Sequence, residues 1–130
     1  MRAPLRLRVT NVSTGVVLAR RVWVARTFWD RVLGLKRWPQ LTNGDALVLR
    51  PSRVMRAIWR SEPMVAVCLD GEGRVITALL LSPNRRVPSV RHAYLVVGLP
   101  VSRAELVNPG DLVEIGAEGQ GRRVSQRHRG

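Results

Sequence analysis

The chain has 130 residues, 45% of them hydrophobic, and a formal net charge of +13. That length suits a single domain with a real core, and no apolar run approaches the ~20 residues of a membrane-spanning helix. A single cysteine excludes an internal disulfide and a multi-cysteine metal site.

The opening residues, MRAPLRLRV, carry arginines but no continuous apolar stretch, so no secretory signal is expected. The expected compartment is the cytoplasm. Lys36 is the one lysine among 22 basic residues, and the arginines are scattered. Pairs occur at Arg20-Arg21, Arg85-Arg86 and Arg122-Arg123, without a block of five or six. A basic chain attracts phosphate polyanions by counterion release, yet an even spread of arginine is also what a solvated surface looks like.

Leu5, Leu7 and Val9 alternate with Arg6 and Arg8, the period of a half-buried strand. Asn11–Gly15 reads as a turn and Val16–Ala19 as a returning strand. Arg21–Ala25 alternates again, with Trp23 on the face opposite Val22 and Val24.

Thr27 and Asp30 have capping-box spacing, and the pairs Phe28/Val32 and Trp29/Leu33 make an apolar stripe that stops at Gly34. A helix of about two turns is expected there. Ala46–Leu49 is a short strand ended before Pro51, and Val54–Trp59 a further strand. Two apolar runs follow, Pro63–Asp70 and Arg74–Leu81, joined by a glycine-containing loop: a β-hairpin at the centre of the core.

Gly73 is the residue suited to positive φ in that loop. Neither run alternates, so both faces of the hairpin should be covered. Ser82–Ser89 reads as loop and Ala93–Leu99 as strand. Ser102 and Glu105 repeat the capping-box spacing and predict one helical turn over Arg103–Val107. After the turn Asn108–Asp111, Leu112–Ile115 is the last strand.

The expected architecture is mostly β: a single compact β-barrel or sandwich with one or two short surface helices. Residues 1–115 form that domain, and residues 116–130, poor in aliphatics, form a disordered basic tail.

Chemistry-bearing motifs are sparse. His92 and His128 stand far apart with no carboxylate cluster beside either, so no metal site is expected. Cys68, inside an apolar run, reads as inert core. There are no paired carboxylates, nucleophile elbow, phosphate loop or HEXXH, and no cofactor is implied. Trp23 and Trp29 fit core packing. Trp38, beside Lys36 and Arg37, and Trp59, between Arg56 and Arg60, suit a ligand face.

The order of pieces resembles the bacterial and archaeal family called domain of unknown function 192. The resemblance begins at Thr27-Phe28-Trp29-Asp30-Arg31-Val32-Leu33-Gly34-Leu35 and continues through Gly44–Leu49 and Pro51-Ser52-Arg53. It then takes in Pro63, Cys68–Val75, Leu99-Pro100 and Pro109-Gly110-Asp111. It implies a compact barrel or sandwich with small surface helices and no established activity. In this chain the family's cysteine position is Ser52, its histidine position Arg56 and its methionine position Arg60. The aspartate after the second proline is replaced by Val65, and the glutamate position falls at Val96. Arg31 is the clearest surviving polar residue.

Two functional readings follow. The first is a non-catalytic binding module whose mouth, near Arg31, Arg56, Trp59 and Arg60, takes a small anionic or aromatic ligand. The alternative is weak nucleic-acid binding through surface arginines and the tail residues Arg122, Arg123, Arg127 and Arg129. An enzyme ranks last, for want of a base, nucleophile or metal-ligand set.

Overall fold

The computed structural model describes residues 5–25, 41–50, 63–81 and 90–117. Seven strands make one sheet. They are β1 (Leu7–Asn11), β2 (Val16–Ala25), β3 (Gly44–Leu49), β4 (Met64–Leu69), β5 (Val75–Leu81), β6 (Leu95–Leu99) and β7 (Val113–Ala117). Their order across the sheet is β5-β4-β6-β3-β2-β1-β7. All neighbours are antiparallel except β2 and β3, which run parallel with Ala25 opposite Leu49.

The sheet curls until its two outer strands touch at one corner. Arg74 bridges Leu112, Val75 N donates to Asp111 O at 2.8 Å, and Val113 N donates to Gly73 O at 2.9 Å. Gly73 makes the corner feasible. Its φ is +92°, and a Cβ there would stand 2.8 Å from the Val113 carbonyl oxygen. The result is a mostly β half-barrel.

Burial explains the unbroken apolar runs. One cluster draws on all seven strands and fills the inside of the curl, with Val9, Val22, Val48, Val67, Val97 and Val113 among its members. A second cluster lies on the outer face, from Leu47, Met64, Ala66, Cys68, Leu81 and Val96, with Trp23 packed against it. All six residues of β4 are buried, alternating between the clusters, so that strand needs apolar side chains at every position. Trp23 is on the face opposite Val22, as its alternation implies.

The hairpin forms as its sequence predicts, with Met64 opposite Leu81 and Cys68 opposite Thr77. Its second strand is not central, however. β5 is the outermost strand of the sheet, and Leu80 on it is 62% exposed.

Other boundaries shift. β2 is one strand of ten residues because a register irregularity between Ala19 and Arg21 absorbs the arginine pair. β7 continues two residues past Ile115, as Gly116 and Ala117 pair with Arg8 and Leu7. The capping box at Ser102 does not form. The helix there is a 3-10 turn over Val101–Leu106 with Pro100 at its N-cap, no side-chain cap, and the Ser102 hydroxyl bonded to the Asn43 side chain instead. The expected helix from Thr27, the strand over 54–59, the loop over 82–89 and residues 118–130 lie outside the described residues.

Candidate ligand-binding end of the sheet

Parallel pairing of β2 and β3 sends the chain out of both strands at the same end of the sheet. β6, antiparallel to β3, starts at that end, with Val96 opposite Leu49. Arg50 and Tyr94, 44 residues apart in sequence, therefore come together there. Arg50 Nη2 donates to the Tyr94 hydroxyl at 3.0 Å, and the Arg50 Cζ stands 4.8 Å from the centre of the Tyr94 ring. Both side chains are exposed, Tyr94 at 49%.

The backbone beneath is fixed. Tyr94 N donates to Leu69 O at 2.7 Å, and the turn before it closes with Ala93 N donating to Val90 O. Within that turn His92 adopts φ +65°, a left-handed conformation that histidine tolerates better than β-branched residues. Arg91 and His92 are exposed on the turn, three and two residues before Tyr94.

The opposite end of β3 is organised around a carboxylate. Arg21 lies opposite Asp45 in the register, and Arg21 Nε donates to Asp45 Oδ1 at 2.6 Å. Thr42 donates to Asp45 Oδ2 through its backbone N at 3.0 Å and its hydroxyl at 2.8 Å. Burial pushes the Asp45 carboxyl up, but the Thr42 and Arg21 hydrogen bonds, helped by the arginine charge, hold it below the usual carboxylate value.

A second polar knot ties β1 to the turn before β7. The fully buried Asn11 donates through Nδ2 to Leu106 O and Asp111 Oδ2, both at 2.9 Å, and accepts from Ser13 N at 3.1 Å. Asp111 also accepts from Asn108 N at 2.9 Å, and these bonds hold its carboxyl below the ordinary value. Both knots bond within themselves and stabilise structure.

Among the described residues no group of three or more histidine, cysteine, aspartate or glutamate side chains gathers to hold a metal ion. Cys68 is buried, and burial pushes its thiol up, which makes it a poor nucleophile.

Arg31, Arg56, Trp59 and Arg60, the residues expected from sequence to line a ligand site, lie outside the described residues, as do Arg122, Arg123, Arg127 and Arg129. Arg50 and Tyr94 escaped the sequence reading. The only hint was a cation placed directly after a strand and before Pro51, and it gains meaning only with the order of the strands.

No family model and no curated protein matches this chain. Solved structures do. A protein of unknown function from Novosphingobium aromaticivorans is 23% identical, with a TM-score of 0.63 over 83% of this chain and 82% of that one. A proposed transcription regulator from Sinorhizobium meliloti is 18% identical, with a TM-score of 0.57 over 88% of this chain and 96% of that one. At such identities the likeness establishes the fold.

Proposed function

We propose that this protein is a non-catalytic binding module for a small anionic ligand, held at the end of the sheet that carries Arg50 and Tyr94. The carrying observation is how Arg50 is held. Its guanidinium is oriented by a ring face and a hydroxyl, and no carboxylate among the described residues neutralises it. A guanidinium so oriented, with no carboxylate of the described residues on it, suits a planar anion, which it contacts through paired N–H donors.

The sequence adds support. Arg31 follows Ala25 by six residues and Arg56 follows Arg50 by six, on the two segments that leave the sheet at this end. In the resemblance to the domain of unknown function 192 family, histidine and methionine positions become Arg56 and Arg60, which also favours an anion.

The Sinorhizobium protein's description raises nucleic acid as the competing anion. Two of the described arginines, Arg21 and Arg74, are already engaged by Asp45 and the Gly110 carbonyl.

The test is a thermal-shift screen of phosphate, sugar phosphates and small carboxylates, with turnover assays on every hit. One class of anion should raise the melting temperature by several degrees, as ligand binding to the native state requires, and Arg50→Ala should abolish the rise. Full stabilisation retained in Arg50→Ala would sink the placement. Turnover lost in Ser52→Ala or His92→Ala would show an enzyme. Stabilisation by oligonucleotides alone, fading between ~50 and ~200 mM salt, would move the reading to nucleic acid.

A further inference from the structure

The contact between Arg50 and Tyr94 also fixes what the Tyr94 hydroxyl has left to give. Its oxygen accepts from Arg50 Nη2 at 3.0 Å, so its own proton cannot point back at the guanidinium. Conjugation with the ring keeps that O–H in the ring plane. The guanidinium instead stands over the ring face, its carbon 4.8 Å from the centroid. The pair therefore offers N–H and O–H donors in different planes. Among the described residues no acceptor takes the hydroxyl proton, and Tyr94 is half exposed. Arg50 keeps donors as well. Nη2 has one hydrogen on each of two paired-donor edges, so giving one to Tyr94 leaves the other edge whole.

We infer that the ligand of this end of the sheet is a phosphate monoester, held by Arg50 and Tyr94 together. The inference rests on the anion site proposed above and names its ligand class. A carboxylate on the remaining edge of Arg50 lies flat, with both oxygens engaged by the paired N–H donors. It has no third oxygen to offer. A phosphate monoester has three free acceptor oxygens. Two meet the guanidinium edge, and the third stands out of that plane, where the Tyr94 O–H supplies a donor from a second plane. A phosphodiester, the linkage of nucleic acid, has only two free oxygens and ranks with the carboxylate. Tyr94 is thus a specificity-determining residue, and Arg50 supplies the charge.

The experiment is calorimetric titration of the full chain with glycerol 3-phosphate, dimethyl phosphate and acetate, in wild type, Tyr94→Phe and Arg50→Ala. Glycerol 3-phosphate should bind at least ~10-fold tighter than either of the others, the worth of one hydrogen bond to a charged group. Tyr94→Phe keeps the ring under the guanidinium and removes only the hydroxyl. It should weaken glycerol 3-phosphate by about that factor and leave acetate nearly unchanged. Vesicles of phosphatidic acid present the same monoester. Binding to them that Tyr94→Phe weakens, without binding of glycerol 3-phosphate, would assign the monoester to a lipid headgroup. Acetate or dimethyl phosphate bound as tightly as the monoester overturns the inference. So does an equal loss of acetate and monoester in Tyr94→Phe, which would mean that the hydroxyl only aims Arg50. Binding lost in Arg50→Ala but intact in Tyr94→Phe sinks this inference and spares the site. Full binding in Arg50→Ala removes the site itself.

Discussion

The two ends of β3 each have an arginine beside them, and the two arginines are held in opposite ways. At the start of the strand Arg21 meets Asp45 at 2.6 Å, and Thr42 fills the remaining acceptor sites of the carboxylate. At the far end Arg50 meets the ring and hydroxyl of Tyr94, neither of which carries a charge to cancel its own. The first arrangement consumes a cation to hold two strands and a loop in place. The second orients a cation that no carboxylate among the described residues pairs with. Position on the same strand does not decide which arginine is structural; the chemistry of the partner does.

The largest effect expected from this contrast is at the closed end. Asp45→Ala removes the acceptor of three donors at a side chain only 10% exposed. Leaving buried donors unsatisfied costs 1–3 kcal/mol each, but Arg21 is 53% exposed and can turn to water. A net loss of about 2 kcal/mol is therefore expected in urea denaturation at neutral pH. A loss below ~0.5 kcal/mol, the ordinary range for surface substitutions, would erase the distinction between the two ends.

Acid should act on the same end next. The Asp45 carboxyl is held below its unfolded value, so the native state binds that proton less readily than the unfolded chain does. The stabilisation is complete above the unfolded value near pH ~4 and is lost as the pH falls through the lower, folded value. Asp70, held down by the Arg74 and Glu72 amides, and Asp111, by the Asn108 amide and Asn11, titrate in the same direction. Thermal midpoints should fall steeply below pH ~4, and Asp45→Asn should flatten that fall without abolishing it. An unchanged acid profile in Asp45→Asn would place the sensitivity at the other two carboxylates.

The hairpin was legible because its cause is local: two apolar runs of strand length around a loop in which Gly73, one of its two glycines, takes positive φ with no Cβ to clash. Full burial of β4 was legible too, since a run without polar positions has no face to give to water. The order of strands was not. Alternation states that a segment is a strand and says nothing of its neighbour, so the edge position of β5 and the parallel β2–β3 pair had no local signal. Ser102 misled for a related reason. Its hydroxyl has the right spacing to cap, but Pro100 starts the helix earlier, and Asn43, 59 residues away, takes the hydroxyl. The candidate site depends on the same long-range order, because Arg50 and Tyr94 are neighbours only through the antiparallel pairing of β3 with β6.

The smallest effect on stability, and the one that sharpens the comparison most, belongs to the open end. Arg50→Ala removes one exposed cation–π contact and one exposed hydrogen bond, worth about 1 kcal/mol or less. Folding should hardly register the change while anion binding does. Arg50→Lys then separates charge from geometry. Lysine keeps the positive charge but presents a compact ammonium in place of a planar fork, and cannot pair two N–H donors with one carboxylate or phosphate edge. If the orientation imposed by Tyr94 matters, Arg50→Lys should lose most of the ligand-induced thermal shift, and Tyr94→Leu, which leaves the guanidinium unaimed, should lose a comparable part. Equal stabilisation in Arg50→Lys and wild type would mean that a point charge suffices, and that the ring does no more than shelter a side chain.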